Sequence, residues 1–591
     1  MLVGSFLLCS IWVPQGLDMT DEGYHLTRQW LIISHPSSID VGVAWLSDMI
    51  GGTWLKIVDG LGLLGARLGW AVVIAITSWI LFAILRRSFK PTPSAVAVIL
   101  AGLAVNYGGD LVLDYNKIPA ALLLLAIYFL LPVRAGQRAS SAQHDWRGIL
   151  GGIILGASVL ARLPLVLALP LPVLMAIVGP RDSKRALLRS LLPILTAVGA
   201  IACGLLLLAA RGQLAGYLNA IHSTLLAPAA DSTHAPSYLL TLYLRQAGTA
   251  AVHGFRLVAL LIGPALLSYA LTKWTRWRFL HIVPIAAVAV LGIYLLSDLP
   301  GGIWDYGLAM PGFFIVMAAV ECVVLAISGK RGTAQLRRVQ LLITGVAIAV
   351  LAMIGSNNGV SNMRHGLHLL IPAVCLGLPD ALEGVMDLIK RVLRAGGLPA
   401  SLQGGYPTLL SLLLPVALAV GFSTNSVLFR YNDPYRDSSD RSALRCAIES
   451  PLLQGVLTSE QRAASTEAMI EQLKTLTNAG DTILAYNSIP LVYYVTQTIP
   501  ALDTPWPILH SADDLRVELD DLSRQDLPVV LVRATANTRG RNWGAEVTYV
   551  ANPTSLERLA VIDQWVAGHG YNVVWQNRDF RIYVLDGGTR N

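Results

Sequence analysis

The chain has 591 residues, 54% of them hydrophobic and only 14% charged, with a mean hydropathy of +0.57. An average soluble protein is about 25% charged, so the composition excludes a soluble globular chain and gives a polytopic α-helical membrane protein. The formal net charge of +7 is not a nucleic-acid footprint. Its Lys and Arg fall in short clusters between apolar runs, the pattern that sets orientation in a bilayer.

The first apolar run, Leu2 to Val13, is shorter than the roughly 20 residues a spanning helix needs. A short or tilted helix, or a start set late, is expected there. It lacks a basic n-region and a small-residue cleavage site, so it is not read as a removable signal peptide. By length, about thirteen spans are expected: 1–14, 64–85, 92–107, 118–133, 148–161, 164–179, 190–209, 256–271, 279–296, 307–328, 340–355, 366–386 and 405–424. Basic clusters follow every even-numbered span, among them Arg86-Arg87, Arg134 and Arg138, Arg181 to Arg189, and Lys273 to Arg278. Those loops are therefore expected to be cytoplasmic, with the N-terminus inside. The alternation requires a break at Arg162-Leu163-Pro164.

On this topology the loop 15–63 and the tail from about residue 426 lie outside the membrane, giving a membrane module over 1–425 and a soluble α/β domain over 426–591. In the loop, Leu26 to Ile33 and Val41 to Ile50 have helical apolar spacing, with Trp30, Trp45 and Trp54 as interfacial anchors. The loop 211–255 carries His222, His234 and His253, which singly read as surface histidines. In the tail, Asp481 to Tyr486 reads as a strand, Pro490 to Thr496 as a helix and Leu527 to Arg533 as a buried parallel strand. A helix capped by Ser555 runs to Gly568, and Asn572 to Trp575 and Phe580 to Leu585 form a hairpin. None of the five cysteines has spacing for a disulfide framework or a zinc site.

Ionisable groups at membrane level mark sites or pathways. The first outer loop supplies Asp21, Glu22, Tyr24, His25 and Arg28, and the second supplies Asp110, Asp114 and Lys117. Arg162 follows the fifth span; Asn357, Asn358, Arg364 and His365 follow the eleventh. Carboxylates and cations on one face suit group transfer: a carboxylate takes a proton from an attacking hydroxyl or amine, and cations neutralise a phosphate leaving group. Plainer roles are open for each. Asp110 can be a loop residue, Asp114 can cap the helix at Ile118, Arg162 can snorkel, and Arg364-His365 can be an interfacial pair.

An Asp-Glu pair after the first span, a loop of surface helices, a second Asp before the fourth span and an outer α/β tail together resemble the GT-C glycosyltransferases. The nearest branch is that of the protein O-mannosyltransferases and lipid A aminoarabinose transferases. Asp21-Glu22 falls where that branch carries its acidic pair. Asp114 to Leu122 resembles its Asp-x-x-Leu opening of the fourth span, and Leu155 to Pro164 its small-residue helix ending in Lys or Arg; Asp481 to Gln497 is similar to its tail strand and helix. The resemblance implies inverting sugar transfer from a polyprenyl-phosphate donor to a glycan, lipid or protein acceptor, at the outer face of a bacterial cytoplasmic membrane. By the same analogy Asp21 is the base, with Glu22 and Asp114 positioning it, the acceptor or a metal. Arg162, Arg364, His365 and Lys117 hold the donor phosphate, and Tyr24, His25, Asp110, Asn357 and Asn358 meet substrate. Metal use varies among the branches, so a divalent cation at Asp21, Glu22 and Asp114 is left open. Two rival classes are a transporter or flippase-type protein, expected to place interrupted helices and charges at the bilayer midplane, and a non-catalytic envelope scaffold, for which the acidic loops are dispensable.

Overall fold

Backbone at membrane depth must satisfy its own N–H and C=O groups, so long apolar runs become helices. The computed structural model describes all residues except 40, 107, 132–140, 180–182, 224–234, 275–305, 328–331, 396–420, 433, 435, 439, 524–526, 536–552 and 588–591. Helices α1 (Leu2–Ser10), α2 (Asp21–Ser34), α3 (Trp45–Ile57), α4 (Gly62–Leu85), α5 (Pro91–Val105), α6 (Lys117–Leu130) and α7 (Ser141–Ala161) come first. After a 3-10 turn at Leu163–Ala168 come α8 (Leu171–Val178), α9 (Ser183–Ala210), α10 (Leu214–Ile221) and α11 (Pro236–Trp274). The series continues with α12 (Tyr306–Ile327), α13 (Thr333–Met353), a 3-10 segment at Gly359–Gly366, α14 (Leu367–Ala395) and α15 over 421–432.

Among the described residues four helices are long and apolar enough to cross a membrane: Gly62–Leu85, Leu187–Ala210, Gly307–Ile327 and Thr333–Met353. Pro91–Val105, Lys117–Leu130 and Leu163–Val178 are apolar but shorter. The chain does break at Arg162, where Pro164 removes an amide donor and the helix gives way to a 3-10 turn. Helix α1 has 9 residues, about 14 Å of rise. The stretch 211–255 is not the loop expected: it carries α10 and the first half of α11, a 39-residue helix. The expected span 279–296 and His234 lie outside the described residues, and the expected span 405–424 is described only from 421. Helix α15 runs across the expected boundary at 425.

The loop 15–63 departs from expectation in two respects. The Asp-Glu pair is the first turn of α2 itself, not a linker before a surface helix. Trp45 is buried against Ile32, Leu160 and Tyr217, not held at an interface. Its large ring is more stable packed between helices than half-wetted.

The tail contributes α16 (Glu460–Leu476), α17 (Leu491–Thr496), α18 (Ala512–Leu522) and α19 (Pro553–Gly568). Strands β1 (Cys446–Ala447) and β2 (Leu457–Thr458) pair antiparallel. Strands β3 (Thr482–Tyr486), β4 (Ile499–Pro500), β5 (Val530–Ala534), β6 (Tyr571–Gln576) and β7 (Phe580–Leu585) form a five-stranded sheet in the order β4-β3-β5-β7-β6. Strand β3 runs parallel to β4 and β5, and β7 antiparallel to β5 and β6. Side chains alternate across the pleat: Ile483, Ala485, Val530 and Val532 share one core with α16 and α17, while Leu484, Leu531 and Tyr583 share another with α18 and α19. Helix α19 starts at Pro553, so Ser555 lies inside it and is not its cap.

The first of those cores also takes in Leu17, Met19 and Leu26, so sheet and outer loop share one apolar interior. Backbone bonds stitch them together: Leu457 N–H to Pro14 O (2.7 Å), Gly16 N–H to Leu457 O (2.9 Å) and Leu491 N–H to Met19 O (3.1 Å). The Thr27 hydroxyl donates to Pro490 O at 2.9 Å. One turn earlier, a Cβ on Gly23 would stand 2.3 Å from Leu491 N. Backbone cannot yield as a side-chain tip does, so Gly23→Ala is expected to push α17 off α2. The cost is about 1–3 kcal/mol of overpacking, read as a lower thermal unfolding midpoint in detergent. An unchanged midpoint would show that α2 and α17 do not meet at this distance.

Candidate active site

Helix α2 advances about 100° per residue, which sorts the outer-loop residues onto different faces. Glu22 turns inward and is 1% exposed. Its Oε2 meets Arg67 Nη2 at 2.6 Å, and its Oε1 accepts from Arg67 Nε at 3.2 Å and from Leu111 N–H at 2.9 Å. The same guanidinium donates to Val13 O (2.9 Å) and Gly16 O (2.7 Å). Both oxygens of Glu22 are thus bound within the protein.

Asp21 is 28% exposed along its side chain and meets Arg436 Nη2 at 2.7 Å. Beside it, Asp18 accepts from Thr20 N–H (2.9 Å), the Thr20 hydroxyl (2.6 Å) and Glu22 N–H (2.9 Å), which fastens the first turn of α2. Burial pushes the Asp18 carboxyl up to about 6, against the pull of Arg436.

On the same face of α2 as Asp21, His25 is buried against the second outer loop. Its ring lies 5.3 Å from that of Tyr115 and 5.5 Å from that of Tyr24. The Tyr24 ring also lies tilted against Trp506 of the tail, 5.9 Å between centroids, and carries the Arg28 guanidinium at 5.5 Å. Arg28 Nε in turn bonds Asp48 at 3.0 Å.

Asp110, Asp114 and Lys117 close the cluster. Lys117 Nζ donates to Asp114 Oδ2 (2.6 Å), Asp110 Oδ1 (3.0 Å) and Val112 O (3.1 Å), which uses all three ammonium donors. Asp114 Oδ1 accepts the amides of Asn116 and Lys117, both at 2.7 Å, so Asp114 holds the turn that leads into α6, whose N-cap is Asn116. Burial works against the Asp114 charge, but Lys117, His25 and His365 outweigh it and hold the carboxyl below the usual range. Burial raises Asp110 despite Lys117, and its Oδ2 is buried without a hydrogen bond.

His25, Asp110 and Asp114 each offer one ligand atom, all within 4.8 Å of one another. These residues do not fit a divalent cation as they stand, because the Lys117 ammonium already bridges the two carboxylates. Any metal would have to evict it.

The 3-10 segment before α14 supplies the remaining cations. Arg364 lies against the second loop, where a Cβ on Gly109 would be 3.2 Å from its Nη2. Its Nε is 3.4 Å from His365 Nε2. Burial, with Arg364 alongside, holds His365 well below its ordinary value and therefore neutral at pH 7, although Asp114 pulls the other way. Arg162 donates to Ala352 O (2.8 Å) and Ile354 O (3.0 Å) at the end of α13, where a cation suits the helix dipole. Asn357 and Asn358 are exposed. Buried Asn362 ties the segment down instead, donating to Ala352 O (2.8 Å) and Asn116 Oδ1 (3.2 Å).

Three separate hairpins therefore converge. The charges of Asp21, Asp114 and Arg162 all act on the Tyr115 hydroxyl, and Asp21 also acts on Asp110. Sequence reasoning missed Asp18, Arg67, Tyr115, Asn362 and Arg436. Only Arg67 carries a signal, as the single charge inside the apolar run of α4.

Removing one charge of the buried Glu22–Arg67 pair leaves the other unpaired, at a cost of about 3–5 kcal/mol. Glu22→Gln is therefore expected to lower the unfolding midpoint sharply, measured by thermal unfolding of the purified protein. A midpoint within a degree of wild type would mean the pair does not hold the loops.

Residues 43–208 match the family model described as dolichyl-phosphate-mannose-protein mannosyltransferase. No curated protein matches the chain. Among solved structures, ArnT from Cupriavidus metallidurans bound to undecaprenyl phosphate is 14% identical, over 98% of this chain and 97% of that one, with a TM-score of 0.43. The oligosaccharyltransferase AglB from Archaeoglobus fulgidus, in complex with an inhibitory peptide and a dolichol-phosphate, is 10% identical over 90% of this chain and 69% of that one, with a TM-score of 0.44. The arabinofuranosyltransferase AftD from Mycobacteria is 12% identical over 99% of this chain but 40% of its own, with a TM-score of 0.38. The matched segment 43–208 holds Asp110, Asp114, Lys117 and Arg162.

Proposed function

We propose that the chain is an inverting membrane glycosyltransferase that moves a sugar from a polyprenyl-phosphate donor to an acceptor, with Asp21 as the base. The observation that carries this reading is the contrast among the four carboxylates. Glu22, Asp110 and Asp114 are bound to Arg67 or Lys117 inside the protein, whereas Asp21, paired with Arg436, keeps 28% of its side chain exposed. A base must reach its proton.

In the proposed step an acceptor hydroxyl attacks the anomeric carbon. A new C–O bond forms as the bond to the phosphate oxygen breaks. The leaving electron pair goes to the lipid phosphate, and the hydroxyl proton goes to Asp21. Arg364 offers the phosphate a charged donor, and neutral His365 a hydrogen bond without charge. Arg162 and Lys117, committed to Ala352, Ile354 and the two aspartates, act through their field. Tyr24 and His25 line the acceptor side, with Asp110 behind them and Asn357 and Asn358 at the exposed end of the turn.

We assign the site to the outer face, with about thirteen spans, the N-terminus cytoplasmic and residues 426–591 as a periplasmic domain of a bacterial cytoplasmic membrane protein. The two ends of α6 support this sidedness. Its first residue is Lys117, in the site, while Arg87 and Arg147 bind the carbonyls of Tyr128 and Leu131 at its far end. The cationic end is the cytoplasmic one.

Purified protein in lipid nanodiscs, given radiolabelled polyprenyl-phosphate mannose, arabinose, glucose and aminoarabinose in turn, is expected to consume one of them. Asp21→Asn should cut that rate by about 10²–10⁴-fold, and wild-type levels in this variant would remove Asp21 from the mechanism. Because Lys117 stands where a metal would, transfer is expected to survive EDTA. Loss of activity on chelation, restored by Mg²⁺ or Mn²⁺, would show that a metal displaces the ammonium.

A further inference from the structure

We infer that Arg436 is a positioning residue for Asp21, placed by the tail to aim that carboxylate at the acceptor. The inference rests on Asp21 being the base. Arg436 lies in the short connection between α15 and the sheet domain, far in sequence from the cluster it joins. Its Nη2 meets Asp21 Oδ2 at 2.7 Å, and its Nη1 bonds the Thr20 hydroxyl, which is itself held by Asp18. One guanidinium thus spans the residues at which α2 begins.

The backbone under Arg436 is built for this reach. Its φ is +53°, a left-handed conformation that residues with a Cβ rarely adopt. Such a conformation persists where the surroundings impose it. Here Arg462, on α16 and 2% exposed, donates to Arg436 O at 2.9 Å and pairs with Asp437 Oδ1 at 2.7 Å. Asp437 is fully buried, and its Oδ2 accepts from Leu17 N–H and the Thr458 hydroxyl, each at 2.7 Å. The segment is therefore clamped from both sides, by the tail through Arg462 and Thr458 and by the first outer loop through Leu17. The clamp turns the Arg436 side chain toward Asp21.

The carboxylate of Asp21, at the first position of α2, is carried on two rotatable side-chain bonds. A guanidinium fork fixes both the distance and the plane of its partner. Restricting the base to one orientation acts on the chemical step more than on donor binding. The groups that act on or with Asp21 include the cation Arg436, the carboxyls of Asp18 and Asp110, and Tyr115.

The test uses the full chain in nanodiscs, with the labelled polyprenyl-phosphate sugar that wild type consumes. Arg436→Ala is expected to lower kcat about 10–100-fold with donor KM changed less than about threefold. Added guanidinium chloride at millimolar concentration should restore part of the rate, whereas urea, of the same shape but neutral, should not. Arg436→Lys, which keeps a cation within reach, should retain more activity than Arg436→Ala. If Arg436→Ala folds and turns over like wild type while Asp21→Asn is dead, Arg436 does not position the base. If its loss is equally insensitive to guanidinium and to the Lys substitution, the residue is only structural. Absence of transfer by wild type itself, or full activity in Asp21→Asn, would instead overturn the glycosyltransferase reading.

Discussion

The buried ion pair between Glu22 and Arg67 is the constraint on which the junction of α2, its neighbouring loops and the tail depends. Two charges taken out of water are stable only when the remaining lone pairs and protons also find partners. Here they do: Val13 O, Gly16 O and Leu111 N–H complete the set. Those partners come from the linker after α1 and from the loop before α6, while the pair itself joins α2 to α4. Satisfying one pair of charges therefore fixes four segments at once. Asp21, His25 and Asp110 are neighbours of these anchor points in sequence, so their positions follow from it.

Helix α2 then works as a three-sided hub. Asp21, His25 and Arg28 fall on one side; Glu22, Leu26 and Gln29 on a second; Gly23 and Thr27 on a third. The second side holds the second outer loop, where Gln29 donates to Leu113 O at 2.6 Å. The third carries the tail through Pro490 and Leu491. Only the first is left for chemistry. A helix of 14 residues thus ties membrane helices, loop and sheet to one frame. Local disorder in any of them would misplace the crevice.

Much of the scaffold was legible because its signals are local. Apolar runs located α4, α5, α6, α12, α13 and β5, and short apolar segments located β3 and the β6–β7 hairpin. The break at Arg162 was readable from Pro164. The division of labour inside the site was not. Asp21 and Glu22 are adjacent letters, yet about 100° apart on a helix, and only the packed structure says which one faces Arg67. Lys117 looked like a phosphate ligand until both of its acidic neighbours were found to claim it. Asn362 outdid Asn357 and Asn358 because it points into the turn, a matter of 3-10 geometry. Arg436 sits in a polar connection with no periodicity, so its pairing with Asp21, 415 positions away, left no trace in the sequence.

The bridge between Pro14 to Gly16 and Leu457 has a consequence for biosynthesis. The opening segment of the chain lies beside a strand that the ribosome delivers more than four hundred codons later. At about 5–20 residues per second, that wait is on the order of a minute. Until then the first turn of α2 lacks half its supports, and the nascent protein has its helices but not its crevice. Maturation of the outer surface is thus tied to completion of the polypeptide, and a prematurely terminated product would lodge in the bilayer without an assembled centre.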